Sequence, residues 1–384
     1  MRFLSDLAAS RGPAAAFAAL GLFWGGFAAL VPALKPQAGL SDAGFGLAML
    51  VSTCGAVLAM WLAPAVDARL GGRALPVLVA AMALAFLLPG LSTTGTAFAL
   101  TMALAAAACG LLDVVMNARV ADLEAAGRRP LMSLNHALYS LTYAASAIGT
   151  GLAREAGAGP FAVFATLSAV GLALIPLAVR APLPQAEGAA PGHAAAGGRI
   201  LALVLPAGLI VLIGFMAEQA TEGWSALHLE RNLGAGAAAG ALGPALLGLT
   251  MGAGRLWGQS LARRLSEATL IRGGAIVSAI GALIAAASPT PALAYVGFAT
   301  LGAGVSVVVP MAFARAGRQV PPNRRARAIS RLSLIGYAGF FAGPPLMGFL
   351  SEAVGLGGAF VAIAALLLLI PAVLVPWMKA GATS

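Results

Sequence analysis

Charge is what this sequence has least of. Asp, Glu, Lys and Arg make up 9% of its 384 residues, against roughly 25% in a soluble domain, so an ordinary water-facing surface cannot be built from it. Histidine is scarce as well: His136, His193 and His228 are the three present, in unrelated settings. With only two cysteines, this leaves neither a disulfide framework nor a metal-ligand spacing. Cys54 and Cys109 both fall inside apolar runs, where a thiol behaves as a small hydrophobe. No nucleophile and base stand at a spacing that would suggest an intramembrane enzyme. No metal and no cofactor is expected.

What the sequence does have is hydrophobic length. Residues of the apolar set account for 60% of the chain, and runs of about 20, enough to cross a ~30 Å hydrocarbon core, recur along it. Twelve are read, at 13–34, 42–65, 74–93, 97–118, 131–153, 160–179, 200–224, 236–257, 271–288, 291–314, 328–350 and 357–378. The expected fold is all-α and membrane-embedded. The first run is too long for a signal peptide and has no polar mature region after it, so it stays as a helix. Residues 181–198 are rich in Pro, Ala and Gly and read as a flexible linker, dividing a six-helix bundle at 1–180 from a second at 200–384, with the connection at 181–199. His193, within it, is given no role.

The net charge of +10 is explained by where the basic residues lie. With the amino terminus in the cytoplasm, every Lys and Arg of the 23 except Lys35, Arg154 and Arg231 falls on cytoplasmic segments, the asymmetry of the positive-inside rule. Both termini are therefore expected in the cytoplasm, for a multi-pass protein of the inner membrane. The basic balance reflects topology and anionic lipid rather than nucleic acid.

Against this apolar background the polar residues stand out. Asp113 and Asn117 are four residues apart in Gly110-Leu111-Leu112-Asp113-Val114-Val115-Met116-Asn117, which places them on one helix face. A charged side chain at mid-bilayer costs about 2.5 to 3.5 kcal/mol on insertion scales, so such acids face a bundle interior or a watery path. The alternative is that Asp113 is nearly interfacial, because Arg119 follows six residues later and marks the helix end. Asn135 and His136 begin the next helix at the depth where Asp113 and Asn117 end theirs, so the four are expected to meet at one level. His136 either passes protons towards the cytoplasm or fills a helix contact. In the seventh run Glu218, Gln219 and Glu222 form a second cluster ahead of Trp224. Like-charged carboxyls one turn apart disfavour double ionisation, so one can hold a proton; Glu222 is near the external end and is otherwise a wet rim. Trp24 in the first run either lines a cavity or packs. Gly336-Tyr337-Ala338-Gly339 and Gly343-Pro344-Pro345 permit close helix approach and bending.

The turn after the second run reads Asp67-Ala68-Arg69-Leu70-Gly71-Gly72-Arg73, short, basic and able to let Asp67 cap a helix or pair with an arginine. It has a weaker copy 195 residues on: Ala63-Pro64-Ala65-Val66 and Arg69-Leu70 align with Gly258-Gln259-Ser260-Leu261 and Arg264-Leu265. The ends of the halves echo each other too, Gly151-Leu152-Ala153-Arg154-Glu155-Ala156-Gly157 against Gly348-Phe349-Leu350-Ser351-Glu352-Ala353-Val354-Gly355. A repeat at half the chain length is what two parallel six-helix halves produce.

The Asp67 turn resembles the signature between the second and third helices of the major facilitator superfamily, an acid followed by basic residues and glycine. Ala63 stands where the family has a leading glycine. Gly110 to Asp113 with Asn117 is similar to the fourth-helix acid of bacterial permeases of the fucose permease type. That resemblance implies a twelve-helix transporter in which Asp67, Arg69, Gly72 and Arg73, with Arg255 in the second half, form a cytoplasmic gate motif. It also implies that Asp113 takes part in proton-linked transport. Those permeases carry a further acid and asparagines in the first helix, where this chain has Gly25, Gly26, Phe27, Ala28 and Ala29 after Trp24; a less polar or differently shaped solute is therefore open. The expected function is a proton-coupled secondary transporter of a sugar or related small metabolite, working as a monomer by alternating access. The alternatives are a drug or metabolite efflux antiporter, or a non-transporting membrane sensor.

Overall fold

The helices begin and end where the sequence supplies turn chemistry. Ser41 Oγ accepts the N–H of Gly44 at 3.0 Å and so caps the second membrane helix. Pro160 and Pro291 sit in first turns, where a missing N–H has no consequence. The computed structural model describes residues 2–127, 130–179 and 198–380, and these are helical with no strand among them. Segment 181–197, with Glu187 and His193, lies outside the described residues.

After a short helix Arg2–Ala9 come α1 (Arg11–Gln37), α2 (Asp42–Leu70), α3 (Ala74–Ala85, continued by Leu87–Leu91), α4 (Gly95–Gly127), α5 (Met132–Glu155) and α6 (Pro160–Ala173, continued by Ile175–Ala178). The second bundle holds α7 (Gly198–Leu227), α8 (Leu242–Leu261), α9 (Glu267–Ala287) and α10 (Pro291–Arg318). It closes with α11 and α12, which share Pro322–Leu369 and part at Gly355. Nine stretches of the described residues are long and apolar enough to cross a membrane. Two of these, Asp42–Leu91 and Arg327–Met378, are each two crossings, and α5 is too polar to be counted by composition; with these the twelve expected helices are present. α4 runs to Gly127, beyond the expected end at 118, so Arg119 does not terminate it.

Helix alternation places Asp67 to Arg73, Arg119 and the α8–α9 and α10–α11 turns on one face, here called the basic face. The α1–α2, α5–α6, α7–α8 and α11–α12 turns lie on the opposite face, and there the two bundles are fastened together. Asp42, 5% exposed, receives Arg231 in a two-pronged pair at 2.9 and 2.8 Å, Lys35 at 2.7 Å and the Ser351 hydroxyl at 2.7 Å. Arg154 grips Glu230 with both Nη atoms, at 2.7 and 2.8 Å, and also donates to the Ala29 carbonyl at 2.7 Å. Glu230 and Arg231 are neighbours in a widened π-type turn, His228–Asn232, which lets both reach the other bundle. The three basic residues that broke the charge asymmetry, Lys35, Arg154 and Arg231, are thus all committed to this clasp.

The sequence repeat has a structural meaning at the same place. Gly151 on α5 and Gly348 on α11 occupy matching repeat positions, and each lies where a Cβ would strike the other bundle: 2.4 Å from Ala241 Cβ in one case, 2.5 Å from the Asp42 carbonyl in the other. Four residues on, Glu155 accepts the N–H of Ala238 at 3.0 Å and Glu352 accepts that of Ala43 at 3.0 Å. The repeat then ends in Gly157 and Gly355, with φ of +91° and +76°, a conformation glycine adopts without steric cost.

Candidate functional site

Contacts between the bundles thin out towards the basic face. On the α2–α11 side the cross-bundle bonds end with Thr53 Oγ1 donating to the Phe340 carbonyl at 3.4 Å; on the α5–α8 side Gly252 meets Ser140. Two turns further, Trp61 on α2 is 79% exposed and Leu334 on α11 is 75% exposed. The bundles therefore close at the clasp and diverge towards the basic face. The polar residues of the helix interiors lie about where they part.

On α4, Asn117 Nδ2 donates to Asp113 Oδ1 at 3.1 Å and to the Asp113 carbonyl at 2.8 Å, the one-face arrangement its spacing predicts. Asp113 is six residues, about 9 Å of helix, inward of Arg119. Arg119 itself marks the basic end of the bundle, because it pairs with Asp67 Oδ1 at 2.7 Å and reaches the Gly71 carbonyl at 3.3 Å. Cys109, one turn before Asp113, has Trp24 of α1 beside it, so Trp24 reaches the same layer as the acid. Gly25, beside it, is needed for packing: a Cβ there would lie 2.0 Å from the Tyr143 carbonyl.

The expected meeting of four polar groups does not occur. No hydrogen bond links Asp113 or Asn117 to Asn135 or His136 among the described residues. Asn135 is buried and donates to the Leu131 carbonyl of its own helix at 2.8 Å. His136 packs edge-on against Phe17 of α1, ring centroids 4.9 Å apart, and has Arg255 as its charged neighbour. The reason is the position of α1, which packs along α5 and takes the place α4 was expected to hold.

On α7, Glu218 lies 3.5 Å from Arg255 Nη2, and Gln219 Nε2 donates to Glu222 Oε2 at 3.1 Å. Arg255, which the family resemblance had grouped with the gate motif, therefore lies beside an acid, because it is within α8 rather than in the α8–α9 turn. Of the remaining motif residues Asp67 holds Arg119, whereas Arg69, Gly72 and Arg73 are exposed. Sequence reasoning passed over Tyr139 and Tyr143. Tyr139 on α5 packs beside Tyr143, ring centroids 6.1 Å apart, and Tyr143 lines a cavity between the bundles. Its signal was available, since Tyr139 and Tyr143 share a helical face.

This small, partly enclosed cavity lies on the clasp side of these groups, lined by residues of α1, α2, α5, α7 and α11 that include Trp24, Tyr143, Gln219, Glu222 and Trp224. Trp24 therefore both packs and lines a cavity, and Glu222 lines it too rather than standing on an outer rim.

The family model described as Major Facilitator Superfamily matches residues 14–311 and 260–382. An uncharacterised MFS-type transporter of Yersinia pestis is 34% identical over 368 residues, covering 93% of this chain and 92% of that one. Among solved structures, the nucleoside transporter NupG superposes with a TM-score of 0.74 at 14% identity, covering 97% of this chain and 99% of that one. The xylose transporter XylE from E. coli, in an inward open conformation, gives 0.69 at 13%, covering 97% and 96%. At these identities the two structures are alike in fold.

Proposed function

We propose that this chain, which belongs to the Major Facilitator Superfamily, a family of membrane transporters rather than enzymes, is a proton-coupled secondary transporter of a small organic solute. Its halves, 1–180 and 200–384 joined by the linker at 181–199, rock about a site at their interface. The observation that carries the reading is that each bundle holds a polar cluster among its membrane helices, Asp113 with Asn117 on α4 in one and Glu218 with Arg255 on α7 and α8 in the other. On the positive-inside orientation the basic face is cytoplasmic and both termini lie there, in the inner membrane. The conformation described is then inward-facing, with the outer clasp shut. A carboxyl that alternates between contact with water and occlusion gains and loses a proton as its hydration changes, which is the property a coupling acid needs.

Asp113 and Glu218 are the two candidates, and they differ in partner. Asp113 has an amide, Asn117, for a partner, whereas Glu218 already has the guanidinium of Arg255 at 3.5 Å. The role is therefore assigned to Asp113. The test uses reconstituted vesicles. Asp113→Asn keeps the shape and mimics the protonated acid, so solute binding and exchange survive. Accumulation driven by a pH gradient or by a membrane potential, worth about 2.3 kcal/mol per charge per 100 mV, is lost. Uphill transport that persists in Asp113→Asn and disappears in Glu218→Gln moves the role to Glu218; persistence in both ends the proton-coupling proposal.

A further inference from the structure

The cavity beside the polar layer has a composition that selects among solutes. Five aromatic rings line it, those of Trp24, Phe27, Phe45, Tyr143 and Trp224, and the carboxylate among them belongs to Glu222. No Lys, Arg or His is among its lining residues. The guanidinium of Arg255 is paired with Glu218 at 3.5 Å, so Glu222 has the Gln219 amide for a partner and, among the described residues, no cation within ion-pair distance. Two polar atoms of the wall are also unmatched: Tyr143 Oη and Trp224 Nε1 are buried without a hydrogen-bond partner, on side chains that are each 1% exposed.

Each of these features asks for something from a ligand. Aromatic faces attract a cation through the ring quadrupole, most strongly when water is excluded. A buried carboxylate without a cation is costly and is relieved by one. An N–H and an O–H left unpaired in a buried wall lose the full hydrogen bond and are relieved by an acceptor oxygen. The space enclosed in this conformation is well below the roughly 300 to 1,000 Å³ of open ligand sites, so only a compact solute fits between these walls as the bundles move apart.

We propose that the solute carried at this site is a compact hydroxylated amine, its protonated nitrogen held among the rings against Glu222 and an oxygen accepting from Trp224 Nε1 and Tyr143 Oη. The assignment rests on the transporter reading and narrows its substrate class. A neutral hydroxylated solute would satisfy the two donors but leave the Glu222 carboxylate unmatched.

The experiment uses the purified full-length protein and two pairs of probes that differ in charge: choline with its uncharged isostere 3,3-dimethylbutan-1-ol, and glucosamine with glucose. Binding is read by the rise in melting temperature, since a ligand of the folded state stabilises it by mass action. In at least one pair the amine binds tenfold or more tightly than its neutral twin. Glu222→Gln abolishes that preference while leaving the affinity for the neutral twin within twofold, and Trp224→Phe, which keeps the ring and removes the N–H, weakens both members. Should Glu222→Gln not yield monodisperse protein, Tyr143→Phe gives the parallel reading, a loss of affinity at the acceptor oxygen with the charge preference kept. Equal or tighter binding of the neutral twins, a preference that survives Glu222→Gln, or binding of none of the four probes overturns the proposal. Uptake of a neutral twin by vesicles that refuse its amine overturns the amine assignment and leaves transport standing.

Discussion

Glu352 and Ala43 belong to different halves of the chain, yet the Glu352 carboxylate accepts the Ala43 N–H at 3.0 Å. Ala43 is in the first turn of α2, where backbone N–H groups have no partner within the helix and the helix dipole favours negative charge. Glu155 does the same for Ala238 at 3.0 Å, in the first turn of the segment Ala237–Gly240 that leads into α8. The last helix before each outer reversal therefore caps a helix of the other bundle, twice over, by the same repeat motif.

These caps should hold the outer face shut. A lost cap costs about 1 kcal/mol, near a fivefold change in an equilibrium. Glu155→Ala or Glu352→Ala should each raise the outward-open population by about that factor, and the double variant by more than either. A cysteine at Phe45, in a background lacking Cys54 and Cys109, reports this by its labelling rate with an impermeant thiol reagent added outside. Unchanged labelling in the double variant would show that the caps do not contribute to closure.

Asp42→Asn should open the same face further. The variant removes one charge that serves Arg231, Lys35 and Ser351 together, and hydrogen bonds to charged groups contribute about 1.5 to 3 kcal/mol each. The labelling rate at position 45 should rise at least tenfold, above that of either single cap variant. The Arg154–Glu230 pair lends itself to a double-mutant cycle: Arg154→Ala and Glu230→Ala combined should cost less than the sum of the two, by 0.5 kcal/mol or more.

At the basic face Asp67→Ala and Arg119→Ala should slow turnover to similar extents, because they remove the two partners of one 2.7 Å pair. Arg69→Ala, at an exposed side chain, should change turnover less than twofold. Solute affinity should be kept in all three. A larger loss in Arg69→Ala than in Arg119→Ala would contradict this assignment.

Trp61 and Leu334 mark where the open face would close. Gly46 meets Pro344 and Thr53 meets Phe340, so continuing the antiparallel helices by two turns brings 61 opposite 334. With Trp61→Cys and Leu334→Cys in the cysteine-free background, a disulfide should form slowly. Adding Asp42→Asn, which favours the outward-open state, should accelerate it severalfold. An equal rate with and without Asp42→Asn would place the closing contact elsewhere.

The sequence alone determined the helix count and the two-bundle plan, and its charge asymmetry is the basis of the proposed orientation. Lipid leaves backbone groups no partner outside their own helix, and it makes apolar length and the distribution of arginine the dominant signals; the Asp113–Asn117 contact was equally legible, since it depends on one helix and a four-residue spacing. The tertiary structure alone decided what lies between helices. His136 turned from Asp113 to α1, Asn135 to a carbonyl of its own helix, and Arg255 lies beside Glu218 rather than in the gate motif, because depth along a helix is readable from sequence but rotation about its axis and choice of neighbour are not. Lys35, Arg154 and Arg231 stood out first as exceptions to a charge rule, and the Glu155 and Glu352 repeat as a trace of duplication. Their common role in fastening the two bundles appears only when the bundles are packed together, since every partner that defines it comes from more than seventy residues away or from across the α1–α2 turn.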